Sequence, residues 1–132
     1  MKYSIEKQEQ YTILTLSEEN LNTLYAPDLK SELVLLKQAG TPNLILNLEE
    51  VAYVDSSGLG AILIGNRMWT EEGKQFILTG VKHPSVKTLL AISRLDSILT
   101  IYETSQEAAK AVMMAVLKRE LSDSSEEGSA EE

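Results

Sequence analysis

Residues 51–64 read Val-Ala-Tyr-Val-Asp-Ser-Ser-Gly-Leu-Gly-Ala-Ile-Leu-Ile. A short apolar run ends at Asp55, two serines follow, and Gly58 and Gly60 open an apolar pattern with helical spacing. Asp is a favoured residue immediately before a helix, because its side-chain oxygen accepts hydrogen bonds from free backbone N–H groups. The stretch therefore predicts a strand, a turn capped by Asp55, and a helix.

The two serines of this stretch, Ser56 and Ser57, are predicted to lie at the start of that helix. The backbone amides and the helix dipole favour negative charge there, so a phosphate on a serine is compatible with the helix. No general base accompanies the serines, and neither has the glycine two residues earlier that a nucleophile elbow requires. The pattern indicates a site of modification, and we expect that the chain is not an enzyme.

Composition limits the other kinds of site. The 132-residue chain contains no cysteine and one histidine, His83, which argues against disulfides, a metal site or a catalytic triad. The glycines match neither a dinucleotide loop nor a phosphate-binding loop, so no cofactor is expected. No apolar run reaches the roughly 18 residues of a membrane span, and the N-terminus lacks the apolar stretch of a signal peptide. We expect a cytoplasmic protein with no membrane insertion.

The net charge of −8 comes mainly from the C-terminus, since residues 120–132 hold six acids and no base. Residues 1–118 are predicted to form one domain, and residues 119–132 an acidic, disordered tail. Ser122, Ser124 and Ser125 in the tail are interpreted as residues of a solvated terminus. Nucleic-acid binding is not expected, because the twelve basic residues are scattered along the chain and form no basic stripe.

Hydrophobic spacing predicts strands and helices in alternation, and hence a small mixed β-sheet with α-helices packed against it. The nearly all-apolar run at residues 44–48 is typical of a central strand that is covered on both faces. Strands are also predicted at residues 3–8, 11–16, 75–79 and 98–102. Helices are predicted from Pro27 to Gly40, over residues 57–72, from Pro84, and after Thr104. In the last of these, Ala108, Val112, Met113 and Val116 are predicted to share the buried face.

Residues 55–60, Asp-Ser-Ser-Gly-Leu-Gly, together with the preceding strand at 44–48, resemble the signature of the STAS family. The family is named for sulfate transporters and anti-sigma factor antagonists, and the resemblance extends over residues 3–118. Among its members, the chain is most similar to the small free-standing antagonists of anti-sigma factors. The resemblance implies a STAS-like α/β fold.

The resemblance also implies a function. In such antagonists, the serine after the aspartate, here Ser56, is phosphorylated by a partner that is both anti-sigma factor and serine kinase. The unmodified protein captures that partner and frees a sigma factor for transcription; phosphorylation releases the partner, and a PP2C-type phosphatase resets the cycle. Ser57 is the second choice for phosphorylation. The residues expected to contact the partner are Asp55, Ser56, Ser57, Gly58, Leu59, Gly60, Asn20, Leu21 and Asn22.

The chain departs from the family before its first helix. Many antagonists have a Gly-Glu-Leu-Asp-like turn there, whereas residues 19–22 of this chain read Glu-Asn-Leu-Asn. Asn22 is still able to form an Asx turn, but the identity of the partner stays open. One alternative is a STAS interaction or scaffold module for a different client, such as a transport complex. A more remote alternative is binding of a small molecule or nucleotide near Gly58 and Gly60.

Overall fold

The apolar run that begins at Leu44 forms the central strand of a five-stranded sheet. The structure is a computed structural model that describes residues 1–131, with side chains as far as residue 123. Leu44, Ile45 and Leu46 are fully buried. Consecutive side chains of a strand point to opposite faces of the sheet, so this burial means that both faces are covered.

Residues 1–131 form seven strands and four α-helices. The strands are β1 (Tyr3–Lys7), β2 (Tyr11–Leu16), β3 (Asn20–Leu21), β4 (Asn43–Asn47), β5 (Tyr53–Val54), β6 (Phe76–Thr79) and β7 (Thr100–Tyr102). The α-helices are α1 (Ala26–Gln38), α2 (Ser56–Glu71), α3 (Pro84–Ile92) and α4 (Ser105–Glu131), and a 3-10 turn spans Leu95–Ser97.

The main sheet has the strand order β1-β2-β4-β6-β7. β1 pairs with β2 in antiparallel fashion, whereas the pairs β2–β4, β4–β6 and β6–β7 are parallel. The predicted mixed α/β fold is therefore confirmed.

The helices cover the two faces of this sheet unequally. On one face, Leu44 and Leu46 share a core with Leu33 of α1 and Ile62 of α2, and α3 contributes Val86 and Leu90 to the same core. On the other face, Ile45 and Ile77 pack against Ala108 and Val112 of α4. Helices α1, α2 and α3 thus lie on the opposite side of the sheet from α4.

The prediction for the buried face of α4 is wrong at one position. Ala108 and Val112 are fully buried and Val116 is partly buried, but Met113 is 46% exposed. One residue advances a helix by about 100°, so Met113 turns away from the face that Val112 presents to the sheet. The helix predicted after Thr104 is capped by that residue, because Thr104 Oγ1 accepts a hydrogen bond from the Glu107 amide at 3.1 Å.

Helix α4 also continues to Glu131, through the segment for which composition predicts a disordered tail. A helix that is already anchored on the sheet adds residues at little further cost, and Lys, Arg, Glu and Leu around residue 120 are good helix formers. The side chains of Ser124 and Ser125, and the whole of Glu132, lie outside the described residues. The division into a domain of residues 1–118 and a tail stays a prediction.

Candidate functional site

The two short strands bring together the two stretches that the sequence singles out. β3 pairs in parallel with β5, with Asn20 opposite Tyr53 and Leu21 opposite Val54. The Asp55 amide then donates to the Leu21 carbonyl at 3.3 Å. Residues 20–23 and 53–58 are thus neighbours, although about thirty residues separate them in sequence.

Asp55 caps helix α2, as predicted. Its backbone is extended, its Oδ1 accepts a hydrogen bond from the Gly58 amide at 2.9 Å, and its carbonyl accepts one from the Leu59 amide at 2.9 Å. Its other carboxylate oxygen, Oδ2, accepts from the Thr23 amide at 3.1 Å and from the Thr23 hydroxyl at 3.3 Å. One carboxylate therefore fixes both the start of α2 and the loop before α1.

These hydrogen bonds stabilise the charged form of the Asp55 carboxylate. The amide of Gly58 is the main cause of a pKa below the ordinary value of 3.8, burial opposes it, and the amide and hydroxyl of Thr23 add to the lowering. Asp55 is therefore ionised at neutral pH and contributes one negative charge beside the two serines.

The lowered pKa of Asp55 predicts how the stability of the fold depends on pH. A carboxylate with a depressed folded-state pKa stabilises the fold above its unfolded-state pKa, and the contribution disappears as pH falls through the folded-state value. Asp55→Asn should therefore have a lower urea midpoint than the wild type near neutral pH, and the difference should shrink below pH 3.8. Asp96→Asn removes an exposed carboxylate elsewhere and serves as the matched control. A difference between wild type and Asp55→Asn that is constant with pH would contradict this account.

The two serines differ in environment. Ser56 is the first residue of α2, its side chain is exposed, and its hydroxyl has no hydrogen-bond partner within the described part of the chain. Ser57 is half-buried, and its Oγ lies 3.2 Å from the Thr23 hydroxyl. A modifying enzyme has direct access to the Ser56 hydroxyl, whereas Ser57 is held in the local hydrogen-bond network.

Gly58 and Gly60 have different roles. A methyl group on Gly58 would overlap the carbonyl oxygen of Leu21 and lie 2.9 Å from the Leu21 Cγ atom. A methyl group on Gly60 would meet nothing within 4 Å. Gly58 is therefore needed for close packing of α2 against β3, and binding of a small molecule or nucleotide near these glycines stays a prediction.

The turn before α1 keeps its structure despite the departure from the family pattern. Asn22 Oδ1 accepts a hydrogen bond from the Leu24 amide at 3.0 Å, which is the predicted Asx turn, and the Asn22 carbonyl accepts from the Ala26 amide at 2.7 Å. Leu21 is 1% exposed, so its side chain packs in the core and is not on the surface. Asn20 is exposed, and Asn22, Leu59 and Gly60 are half-buried. Partner contact by these residues stays a prediction.

Three residues of this surface were missed by the sequence analysis. Thr23 joins Asp55 and Ser57 through its hydroxyl. Leu24 is 69% exposed and follows Thr23, whose amide donates to Asp55. Tyr53 is 58% exposed and lies two residues before Asp55. The signal in the sequence was the presence of two large apolar side chains next to predicted contact residues.

Other sites have little support in the described residues. No helix in residues 1–131 has the length and apolar character needed to cross a membrane. Among the described side chains, those of residues 1–123, no group of three or more His, Asp or Glu is arranged to hold a metal ion. His83 is half-buried at the residue before α3 and caps no amide with its side chain.

Comparison with known proteins identifies the family. Residues 2–108 match the STAS domain model. The chain belongs to the STAS domain family. The family resemblance inferred from the sequence is therefore confirmed.

The relatives of this STAS protein include regulators of sigma factors. The anti-sigma-B factor antagonist of Staphylococcus aureus is 28% identical over 86 residues, which cover 65% of this chain and 79% of the relative. An anti-sigma factor antagonist from Mycobacterium paratuberculosis has a TM-score of 0.76 at 20% identity, covering 85% of this chain and 93% of the other. The phosphorylated form of the Bacillus cell fate determinant SpoIIAA has a TM-score of 0.65 at 20% identity, covering 84% and 99%. Both of these solved structures share the fold of this chain.

Proposed function

We propose that this STAS protein is an antagonist of an anti-sigma factor and that phosphorylation of Ser56 controls it. The observation that carries the proposal is the exposed Ser56 hydroxyl at the first position of α2, on a surface built jointly by residues 20–24 and 53–56. The names of the curated relatives support the antagonist role.

The surface around Ser56 has the composition of a protein-binding site. Leu24 and Tyr53 are large, exposed and close to the Asp55–Ser56 turn. Aromatic and large apolar side chains that a partner covers commonly supply most of the binding energy. We therefore assign Leu24 and Tyr53 as apolar contacts of the anti-sigma factor, beside the polar contacts of Asn20, Asn22 and Ser56.

Phosphorylation acts on this surface through charge. A phosphoserine carries about −1.5 to −2 charges near neutral pH. Asp55 already takes the hydrogen bond of the Gly58 amide, and within the described residues no cation forms an ion pair with Asp55. A phosphate on Ser56 thus adds its charge beside an existing carboxylate, and a partner fitted to a neutral hydroxyl must accommodate both.

The cycle requires two enzymes other than this chain. We infer that the anti-sigma factor is itself the serine kinase, that ATP is its substrate, and that a PP2C-type phosphatase removes the phosphate. The unphosphorylated chain binds the anti-sigma factor and frees the sigma factor, and phosphorylation reverses this.

Phosphosite mapping of the native protein from its own cells, growing and stressed, tests the proposal. We expect phosphate on Ser56 at a stoichiometry that changes with growth condition, and no phosphate at that position in Ser56→Ala. The exposed Ser122 is the internal comparison, since an unselective kinase would modify it as well. A Ser56 that stays unmodified in every condition would contradict the switch and favour a constitutive interaction module.

A further inference from the structure

We propose that two copies of this chain associate through the exposed face of α4, with the two helices antiparallel. The face consists of Met113, Met114, Leu117 and Leu121, whose side chains are between 46% and 61% exposed. It lies beyond residue 108, where the match to the STAS domain ends. It also lies on the opposite side of the sheet from α2, so this proposal does not depend on the function proposed for Ser56.

The four side chains form one apolar stripe. Residues at spacings of three and four lie on the same side of a helix, and the sequence positions 113, 114, 117 and 121 follow this spacing. The opposite side of α4, which carries Ala108 and Val112, packs on the sheet. The stripe thus points away from the sheet.

A groove runs beside the stripe. One wall is the turn between β1 and β2, from Gln8 to Tyr11, and the other is α4 from Lys110 to Glu120. Tyr11 and Val116 also belong to the core between α4 and the sheet, which holds the helix in place next to the turn. The α4 wall of the groove extends over about three helical turns, a length along which another helix can pack.

Charge selects a second copy of α4 as the occupant. Lys110 and Glu120 line opposite ends of the groove and are ten residues apart, about 15 Å along the helix. When a second α4 lies antiparallel, with the two-fold axis near Ala115, each Lys110 faces Glu120 of the other copy. Met113 then lies opposite Leu117 of the other copy with Met114 beside it, and Leu121 extends past this central contact toward Ala109. A parallel pair in register would instead place Lys110 against Lys110 and Glu120 against Glu120.

A contact made by one helix face is small compared with the roughly 800 Å² per partner of a standard stable interface. We therefore expect a weak dimer that becomes populated as the protein concentration rises from about 10 µM to 1 mM. Because α4 covers the sheet face opposite to α2, the dimer leaves Ser56 free. Dimerisation and binding of the anti-sigma factor are thus compatible.

Sedimentation velocity of the full chain over this concentration range tests the proposal. We expect a monomer–dimer equilibrium that Leu117→Asp abolishes and that Ile92→Asp, a charge at another exposed apolar position, leaves unchanged. Circular dichroism verifies that the variants are folded. A chain that is monomeric throughout, or a dimer that Leu117→Asp does not affect, would overturn the proposal.

Charge reversal tests the antiparallel arrangement. Lys110→Glu and Glu120→Lys should each weaken the dimer about tenfold, since each creates two like-charged pairs, and the double variant should regain the wild-type constant. Failure of the double variant to recover would rule out this pairing. Ser56→Asp should leave the dimer unchanged, so loss of the switch function and loss of the dimer are measured separately.

Discussion

Phosphorylation of Ser56 is expected to lower the affinity for the anti-sigma factor about a thousandfold. An interface that must accept an unmatched charge next to a like charge loses several kcal/mol, and about 4 kcal/mol corresponds to this factor. Ser56→Asp carries a smaller charge than phosphoserine, so it should act in the same direction with a loss of about a hundredfold. Isothermal titration calorimetry with the purified cognate kinase measures both effects.

The controls for this prediction distinguish the effect of a charge at position 56 from the effect of an added charge elsewhere on the protein. Ser122→Asp adds one negative charge to an exposed position on α4, on the other side of the sheet, and should bind like the wild type. Ser56→Ala should bind constitutively, because it keeps the site neutral and cannot be phosphorylated. Unimpaired binding by both the phosphorylated protein and Ser56→Asp would refute the mechanism.

The fold itself should change little in these variants. Ser56 is exposed at the first position of α2, where the side chain fills no core space and the helix dipole favours an acidic group. The far-ultraviolet circular dichroism of Ser56→Asp should therefore match that of the wild type. A loss of affinity in Ser56→Asp would then result from the changed binding surface and not from unfolding.

The main sheet was predictable because its strands have a strong local signal. Residues 44–48 are apolar at nearly every position, and such a short apolar run is typical of a strand covered on both faces. The pairing of β3 with β5 was not predictable in this way. Each strand has two residues, too few to show the alternation of side chains, and their pairing joins segments far apart in sequence.

The same distinction applies to the candidate site. Asp55 was predictable as a cap because a cap is a local feature, and its bond to the Gly58 amide spans three residues. The role of Thr23 was not, because the contact between Thr23 and Asp55 depends on how two distant loops meet. Leu21 was predicted as a contact residue from the family resemblance, whereas its burial follows from the close packing of Gly58 against it.

The close approach of α2 to β3 predicts that alanine has opposite effects on stability at two glycines of α2. Gly58→Ala should destabilise the protein by about 3 kcal/mol, because the added methyl overlaps the Leu21 carbonyl and overpacking of a fixed backbone has costs of this size. Gly60→Ala should stabilise it by about 1 kcal/mol, since its methyl meets nothing within 4 Å and Ala is the better helix former. Urea unfolding of both variants measures the two free energies.

If Gly58→Ala lowers the free energy of unfolding and Gly60→Ala raises it, close packing at Gly58 explains the result. A general effect of glycine in the turn would change both in the same direction. Because Leu21 also accepts the hydrogen bond of the Asp55 amide, the shift that relieves the overlap at Gly58 should move the Asp55–Ser56 turn. Gly58→Ala should therefore weaken binding to the anti-sigma factor even at temperatures where it is fully folded, whereas Gly60→Ala should lose less affinity. Equal destabilisation by the two substitutions would show that α2 does not pack against β3 as closely as the structure indicates.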